Sequence, residues 1–380
     1  MTARLRRAGA LWRGMLAFLL AAALLPTGAW GQFPLEPAYP ETPLRGTKEA
    51  QGAVIWSHGL NSSYGTEGSV APVSILMRSF RNAGWDVFRL LRPRVSEEPR
   101  RSRDELIAAV ERLRAQGYTR VVLAGQSGGA WLSLMAAAKS DAVDAVIANA
   151  PAWYGTDHPT YMKNAAVLYE HLDDIRHGRI MISYFAEDPY DPGGRAGRSA
   201  AILAAHDVPY LIIDRPEALA GHSSGNTGLF LRRFGACALA VAAAGPMPTL
   251  AGCASDFGRI PSAELRLPGR LSPAKPQGGP ADAFLGKWYG VYPDGRELML
   301  VVERASGATV EALYAEGAGP LPEGKGDLSH RGGRVEGDTL LFAEEGKSTL
   351  RFHLVAGNLQ AQWIAADGMS ELQTALHLVP

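Results

Sequence analysis

Only two cysteines occur in 380 residues, which excludes a disulfide-dense scaffold. Net charge is absent as well: 38 basic and 38 acidic residues cancel, so nothing draws the chain to nucleic acid at long range. Metal and nucleotide signatures are missing. There is no His-Glu-x-x-His, no paired-cysteine motif, no Walker-type phosphate loop and no G-x-G-x-x-G following a strand. Asp188 and Asp191 with neighbouring carbonyls supply fewer oxygens than calcium requires, so neither a metal nor another cofactor is expected. Long apolar runs are scarce too. The one that stands out, Met15 to Leu25, falls short of the about 20 residues that cross a bilayer.

That run has its own meaning. Arg4, Arg6, Arg7 and Arg13 precede it, and Pro26 then Ala29-Trp30-Gly31 follow it, the layout of a secretory signal peptide over residues 1–31. A periplasmic or secreted protein with no membrane span after cleavage is expected. Without those four arginines the chain carries 34 basic against 38 acidic residues, a net charge of −4. In an oxidising compartment Cys237 and Cys253 are expected to pair, closing a loop of about 15 residues worth about 3 kcal/mol.

What remains is a globular composition, 47% hydrophobic and 20% charged, on a chain longer than one core ordinarily serves. From residue 50 to 245, apolar and β-branched runs alternate with helical periodicity. Strands are predicted at Ala53–Ser57, Asp86–Leu90, Arg120–Leu123, Ala145–Asn149, Arg179–Phe185 and Tyr210–Asp214. Helices are predicted between them near Val70–Ala83, Arg103–Gln116, Ala130–Lys139, Arg195–His206 and Asn226–Ala244. Several of these strands are apolar throughout, as when both faces of a parallel sheet are covered, so a doubly wound, mostly parallel α/β sheet is expected. The arginines 92, 94, 100, 101 and 103 read as a solvated face leading into a helix. Prolines 246, 248, 261, 268, 273, 276 and 280 mark residues 246–281 as a linker over the surface. Beyond it the period changes to two: Leu298, Leu300 and Val302; Val310, Ala312 and Tyr314; Leu350, Phe352 and Leu354; Leu359, Ala361 and Trp363; Leu372, Thr374, Leu376 and Leu378. Turn residues separate these runs, so residues 282–380 are expected to form an antiparallel barrel or sandwich of seven or eight strands.

Within the α/β portion, residues 32–245, one motif carries chemistry. Gly125-Gln126-Ser127-Gly128-Gly129 lies between a β-branched strand and a helix-forming stretch. A strand turning straight into a helix puts Ser127 in a strained conformation with its hydroxyl above the sheet edge, the position of a nucleophile. Acyl chemistry then requires a base, a group to orient it, and donors for the oxyanion. Loops after later strands offer Asp188 and Asp191, then His222.

Ser57-His58-Gly59-Leu60, Gly125-Gln126-Ser127-Gly128-Gly129, Ala186-Glu187-Asp188-Pro189 and Gly221-His222-Ser223 together resemble the α/β-hydrolase superfamily over about half the chain. The likeness is to dienelactone-hydrolase-like esterases and to catalytic domains of prolyl-oligopeptidase type. It implies Ser127 as nucleophile and His222 as general base. Asp188, leading a D-x-x-x-P loop, would orient His222, with Asp191 as the rival acid. The backbone N–H groups of Gly128 and Leu60 would form the oxyanion hole, and His58 would shape its loop. The antiparallel strands that usually begin this fold are poorly visible before residue 50.

Between Tyr154 and Gly178 lies a segment bearing Tyr161, Met162, Tyr169 and His171 where such enzymes carry a lid. It is too short for a large apolar cap, which favours small esters of short or medium acyl chains over long-chain lipids. An exported carboxylic ester hydrolase is the first reading. A serine peptidase and a non-catalytic binding protein on the same scaffold are the alternatives. The C-terminal portion loosely resembles lipocalin- or avidin-like barrels, and a ligand or surface docking through it is expected.

Overall fold

The structure, a computed structural model, describes residues 33–60, 71–92, 98–253, 257–321, 325–343, 346 and 348–380. The expected signal peptide, Arg94 and the start of the helix placed at Val70 lie outside the described residues. Among the described residues no helix is long and apolar enough to cross a membrane.

Seven strands form the first sheet: β1 (Leu35–Pro37), β2 (Ala53–Ser57), β3 (Asp86–Leu90), β4 (Val121–Gln126), β5 (Ala145–Asn149), β6 (Arg179–Tyr184) and β7 (Tyr210–Asp214). Their order is β1-β3-β2-β4-β5-β6-β7, parallel throughout except for β1, which runs antiparallel to β3. Every residue of β2, β4 and β5 is buried, because helices cover both faces. These helices are α1 (Ile75–Asn82), α2 (Pro99–Gln116), α3 (Gly128–Ala137), α4 (His158–Asp174), α5 (Arg195–Ala205) and α6 (Gly228–Ala242). Helix α2 starts with Pro99 in its first turn, behind a Glu98 carboxylate that accepts the N–H groups of Arg100 and Arg101. It stops at Gly117, whose φ of 106° ends it left-handed.

The C-terminal portion is a closed barrel of eight antiparallel strands: β8 (Lys287–Val291), β9 (Glu297–Ser306), β10 (Thr309–Glu316), β11 (Asp327–Glu336), β12 (Thr339–Phe342), β13 (Thr349–Val355), β14 (Asn358–Ile364) and β15 (Glu371–Val379). Each pairs with the next in sequence, and β15 closes on β8. Its interior is filled by Phe284, Trp288, Tyr292, Leu300, Tyr314, Phe342 and Phe352 among others. The opposite faces of β8, β9 and β10 are buried too. Tyr289, Val291, Met299, Val301, Leu313 and Ala315 share one core with Leu229, Phe230 and Phe234 of α6.

The proline-rich segment, mostly exposed, is tied down at several points. Leu265 is buried, the Ala274 N–H donates to Val302, and Ser262 gives its N–H and hydroxyl to the buried Glu297 carboxylate at 2.8 and 2.5 Å. Tyr289 supplies a third donor to Glu297 at 2.8 Å, so the buried carboxyl oxygens are both hydrogen-bonded. Cys237 on α6 is disulfide-bonded to Cys253, 16 residues on. Replacing both cysteines by serine should lower stability in urea unfolding by about 3 kcal/mol, with an m-value somewhat above wild type because the unfolded chain is no longer cross-linked.

Candidate active site

The turn from β4 to α3 is held by close backbone packing. A Cβ on Gly129 would land on the Ser57 carbonyl, and one on Gly125 would land on the backbone of Gly129. Only glycine lets β2, β4 and α3 approach this closely. Ser127 takes up the bend at φ 54°, ψ −121°, tied by its N–H to Asn149 O at 3.0 Å and by its carbonyl to the Trp131 N–H at 2.9 Å. Gly128 is the first helical residue, so its N–H has no intrahelical acceptor. A Cβ there would sit 2.7 Å from Leu60 Cγ and 3.4 Å from Leu60 N, so the loop carrying Leu60 passes directly against Gly128.

Asp188 and His222 meet by register. Strands β6 and β7 continue into a bridge between Ala186 and Ala220, with Gly221 N–H donating to Ala186 O at 2.7 Å. Asp188 and His222 each lie two residues past that bridge. His222 Nδ1 is 2.9 Å from both Asp188 carboxylate oxygens. A carboxylate only accepts, so Nδ1 carries the proton and Nε2 is left as the acceptor. Nε2 is buried and bonded to no described residue, Ser127 included. Such contacts commonly tighten only when substrate binds. Tyr190 lies against the imidazole, ring centroids 4.3 Å apart.

The rival acid is committed elsewhere. Asp191 pairs with Arg195 Nε at 3.0 Å, both side chains almost wholly buried, and accepts the Gly193 N–H at 2.9 Å. Arg195 also donates to Pro151 O and Tyr190 O, each at 3.1 Å, stitching the acid loop to the end of β5. Sequence reasoning passed over Gln126, whose amide donates to His222 O at 3.1 Å, and Asn149, which donates to Gly225 O at 3.1 Å. Arg92 is fully buried rather than on a solvated face, and its guanidinium donates to His58 O. Burial, then the Arg92 charge, lowers the His58 pKa to about 4, and His58 Nδ1 is spent on Gly59 O at 2.7 Å. The imidazole thus stays neutral and braces the loop carrying Leu60.

Backbone strain gathers at the same place. Among the described residues seven non-glycine positions have positive φ, and Ser127, Ala150, Glu187, Arg215 and Ala218 all lie in loops after β4 to β7. Strain of this kind persists only where surroundings over-determine it, and it clusters at functional sites. The lid segment forms helix α4; Tyr154, ahead of it, and His171, within it, both pack edge-on against Trp131. Asn164 accepts the N–H groups of Trp153 and Tyr154 at 3.0 and 2.9 Å, fixing the approach to the helix. A cavity of about 770 Å³ on the barrel opens at Lys275, Arg304 and Gly332 and is lined by none of Ser127, Asp188 and His222. No group of three or more His, Cys, Asp or Glu among the described residues is placed to hold a metal ion.

No family model and no curated protein matches this chain. Solved structures do. A puromycin-hydrolyzing peptidase of Mycobacterium tuberculosis is 18% identical over 47% of this chain and 33% of its own, with a TM-score of 0.36. An esterase of Pyrococcus furiosus is 14% identical over 46% of this chain and 75% of its own, at 0.35. Est1E from Butyrivibrio proteoclasticus is 15% identical over 50% of this chain and 84% of its own, at 0.33. The chain therefore spans about a third of the peptidase it matches. These are distant structural similarities to esterases and peptidases.

Two consequences can be measured. Asp191→Ala leaves the buried Arg195 without its counter-ion and should cost about 3–5 kcal/mol in chemical unfolding. Burial likewise holds His171 at a pKa of about 4, with Lys139 and Arg103 adding to the decrease and Asp174 opposing it. His58 and His171 both depart from the ordinary imidazole value of 6.5, so between about 6.5 and 4 the unfolded chain binds more protons than the folded one. Stability should be full above that window, fall as pH drops through it, and level off below. His171→Gln should make the dependence of melting temperature on pH shallower.

Proposed function

We propose that the protein is a serine hydrolase that cleaves small carboxylic esters through an acyl-enzyme. The observation that carries this reading is the bidentate contact of His222 Nδ1 with Asp188, which leaves Nε2 as the free acceptor on a loop whose His222 carbonyl accepts from Gln126, the residue before Ser127. On this reading Ser127 Oγ passes its proton to His222 Nε2 as it attacks the ester carbonyl. The Gly128 and Leu60 N–H groups, with the positive end of α3, receive the developing oxyanion. His222 then returns the proton to the departing alcohol, and a water activated by His222 releases the acid. Asp188 keeps the imidazole in the required tautomer and stabilises its charge. The signal-like segment favours a periplasmic or secreted site of action.

The short lid supports this substrate class: a single 17-residue helix, His158–Asp174, is too small to form a large apolar cap over a long acyl chain. A peptidase would hydrolyse amides at the same centre, and a binding protein would show no turnover.

Hydrolysis of a short-to-medium p-nitrophenyl ester series should be saturable in the wild type and abolished in Ser127→Ala. Fluorophosphonate should label Ser127. Asp188→Asn should retain the fold but lose about 10⁴-fold in kcat. Unlabelled Ser127 and no turnover on esters or amides would sink the hydrolase reading. Amide turnover exceeding ester turnover would replace it with the peptidase.

A further inference from the structure

We infer that the barrel acts as a positioning element for His222, through the turn Pro293-Asp294-Gly295 between β8 and β9. This rests on the hydrolase reading and says what the second domain contributes to it. The turn meets α6 backbone to backbone. Gly228 N–H donates to Pro293 O at 2.5 Å, and a Cβ on Gly228 would land on the Asp294 carbonyl. From the other side, a Cβ on Gly295 would sit 2.8 Å from Gly228 O and 3.0 Å from Pro320 Cδ. Glycine on both sides of a contact this close leaves no compliant side chain between the domains.

Gly228 is joined stiffly to the histidine. The intervening residues form a single 3₁₀ turn, Ser224–Asn226, in which Asn226 N–H donates to Ser223 O at 2.9 Å. The Thr227 hydroxyl donates to Ser224 O at 2.8 Å and accepts the Phe230 N–H at 3.2 Å, locking the turn onto α6. On the opposite side, Gln126 holds His222 O and Asn149 holds Gly225 O. The histidine segment is therefore clamped between the serine turn and the barrel. A shift at Gly228 has no loop in which to dissipate.

The barrel turn is itself braced. Gly295, at φ 84°, donates to Tyr292 O at 2.8 Å, and Asp294 accepts Arg296 N at 3.1 Å and Nε at 2.7 Å. Arg296 is paired in turn with Glu316 on β10. Arg232 on α6 donates to Ala318 O at 2.5 Å, anchoring the same end of the barrel to the same helix.

The test uses the full-length chain and ester turnover. Gly228→Ala forces the turn off the helix and should lower kcat about tenfold or more, a loss typical of a displaced catalytic group. Asp294→Ala removes only the brace of a partly exposed turn, so it should fold normally and lower kcat about threefold, with KM within about twofold of wild type. Fluorophosphonate labelling of Ser127 should slow in parallel. Ser306→Ala, at the far end of β9, should leave turnover unchanged. Should Gly228→Ala fail to fold, Asp294→Ala decides alone. Wild-type kcat in Asp294→Ala, whatever its melting temperature, overturns the positioning role while leaving the hydrolase intact. A wild-type protein that neither turns over nor labels overturns both.

Discussion

The contact on which the site depends is the packing of Gly129 against the Ser57 carbonyl. It lets α3 begin directly beneath the end of β2, and so forces the chain to reverse at Ser127 rather than over a longer loop. Register does the rest. Ser57 pairs with Gly125, Gln126 with Asn149, Asn149 with Ser183 and Tyr184 with Asp214, so β2 and β4 to β7 end nearly level. Loops leaving a level edge converge on one space. That is why Ser127, Asp188 and His222, nearly 100 residues apart at the extremes, occupy neighbouring loops.

Strain at such an edge must be held by something stiffer than the loops. Each positive-φ non-glycine residue costs on the order of 1–3 kcal/mol, and five lie here. The restraints are buried and polar: Asp191 with Arg195, Arg92 with His58, Asn149 with Gly225. Buried ion pairs contribute little net stability over an apolar packing, but breaking one is expensive. They suit a role in which a single geometry matters more than total stability, and here each touches a loop that frames the site.

The sheet was legible because its strands are apolar on both faces. Ala53–Ser57, Asp86–Leu90, Ala145–Asn149 and Tyr210–Asp214 occur with the boundaries their patterns imply. What the sequence concealed was local and polar. Strand β1 has three residues and no alternation, so nothing distinguishes it from a loop until β3 pairs with it. In β11, Asp327-Leu328-Ser329-His330-Arg331-Gly332-Gly333 lacks an apolar face. Gly333 replaces a core side chain by letting the Phe342 ring lie against its backbone. Arg92 reads as surface in any charge-based analysis, because burial of an arginine depends on a carbonyl contributed from another strand's loop. Helix α2 begins four residues before its apolar periodicity, since capping by Glu98 and Pro99 sets its start.

One signal in the barrel was readable and has consequences for the domains. Strands covered on one side alternate, as Leu350 and Phe352 do with exposed Arg351 between them. Strand β9 does not: Leu298, Met299, Leu300, Val301 and Val302 are apolar and buried without a break. A barrel strand can bury both faces only if something outside the barrel covers it. Here a shared core does so, in which Met299, Val301 and Leu313 are buried together with Leu229, Phe230 and Phe234 of α6 and with Leu265 of the proline-rich segment. Each large apolar side chain in that layer contributes about 1.5–3 kcal/mol on burial, so the barrel cannot dissociate from α6 without exposing a substantial core. The two portions differ in architecture yet share one interior. Because α6 begins six residues after His222, the helix that buries the barrel is also the one whose first turn determines where the histidine stands.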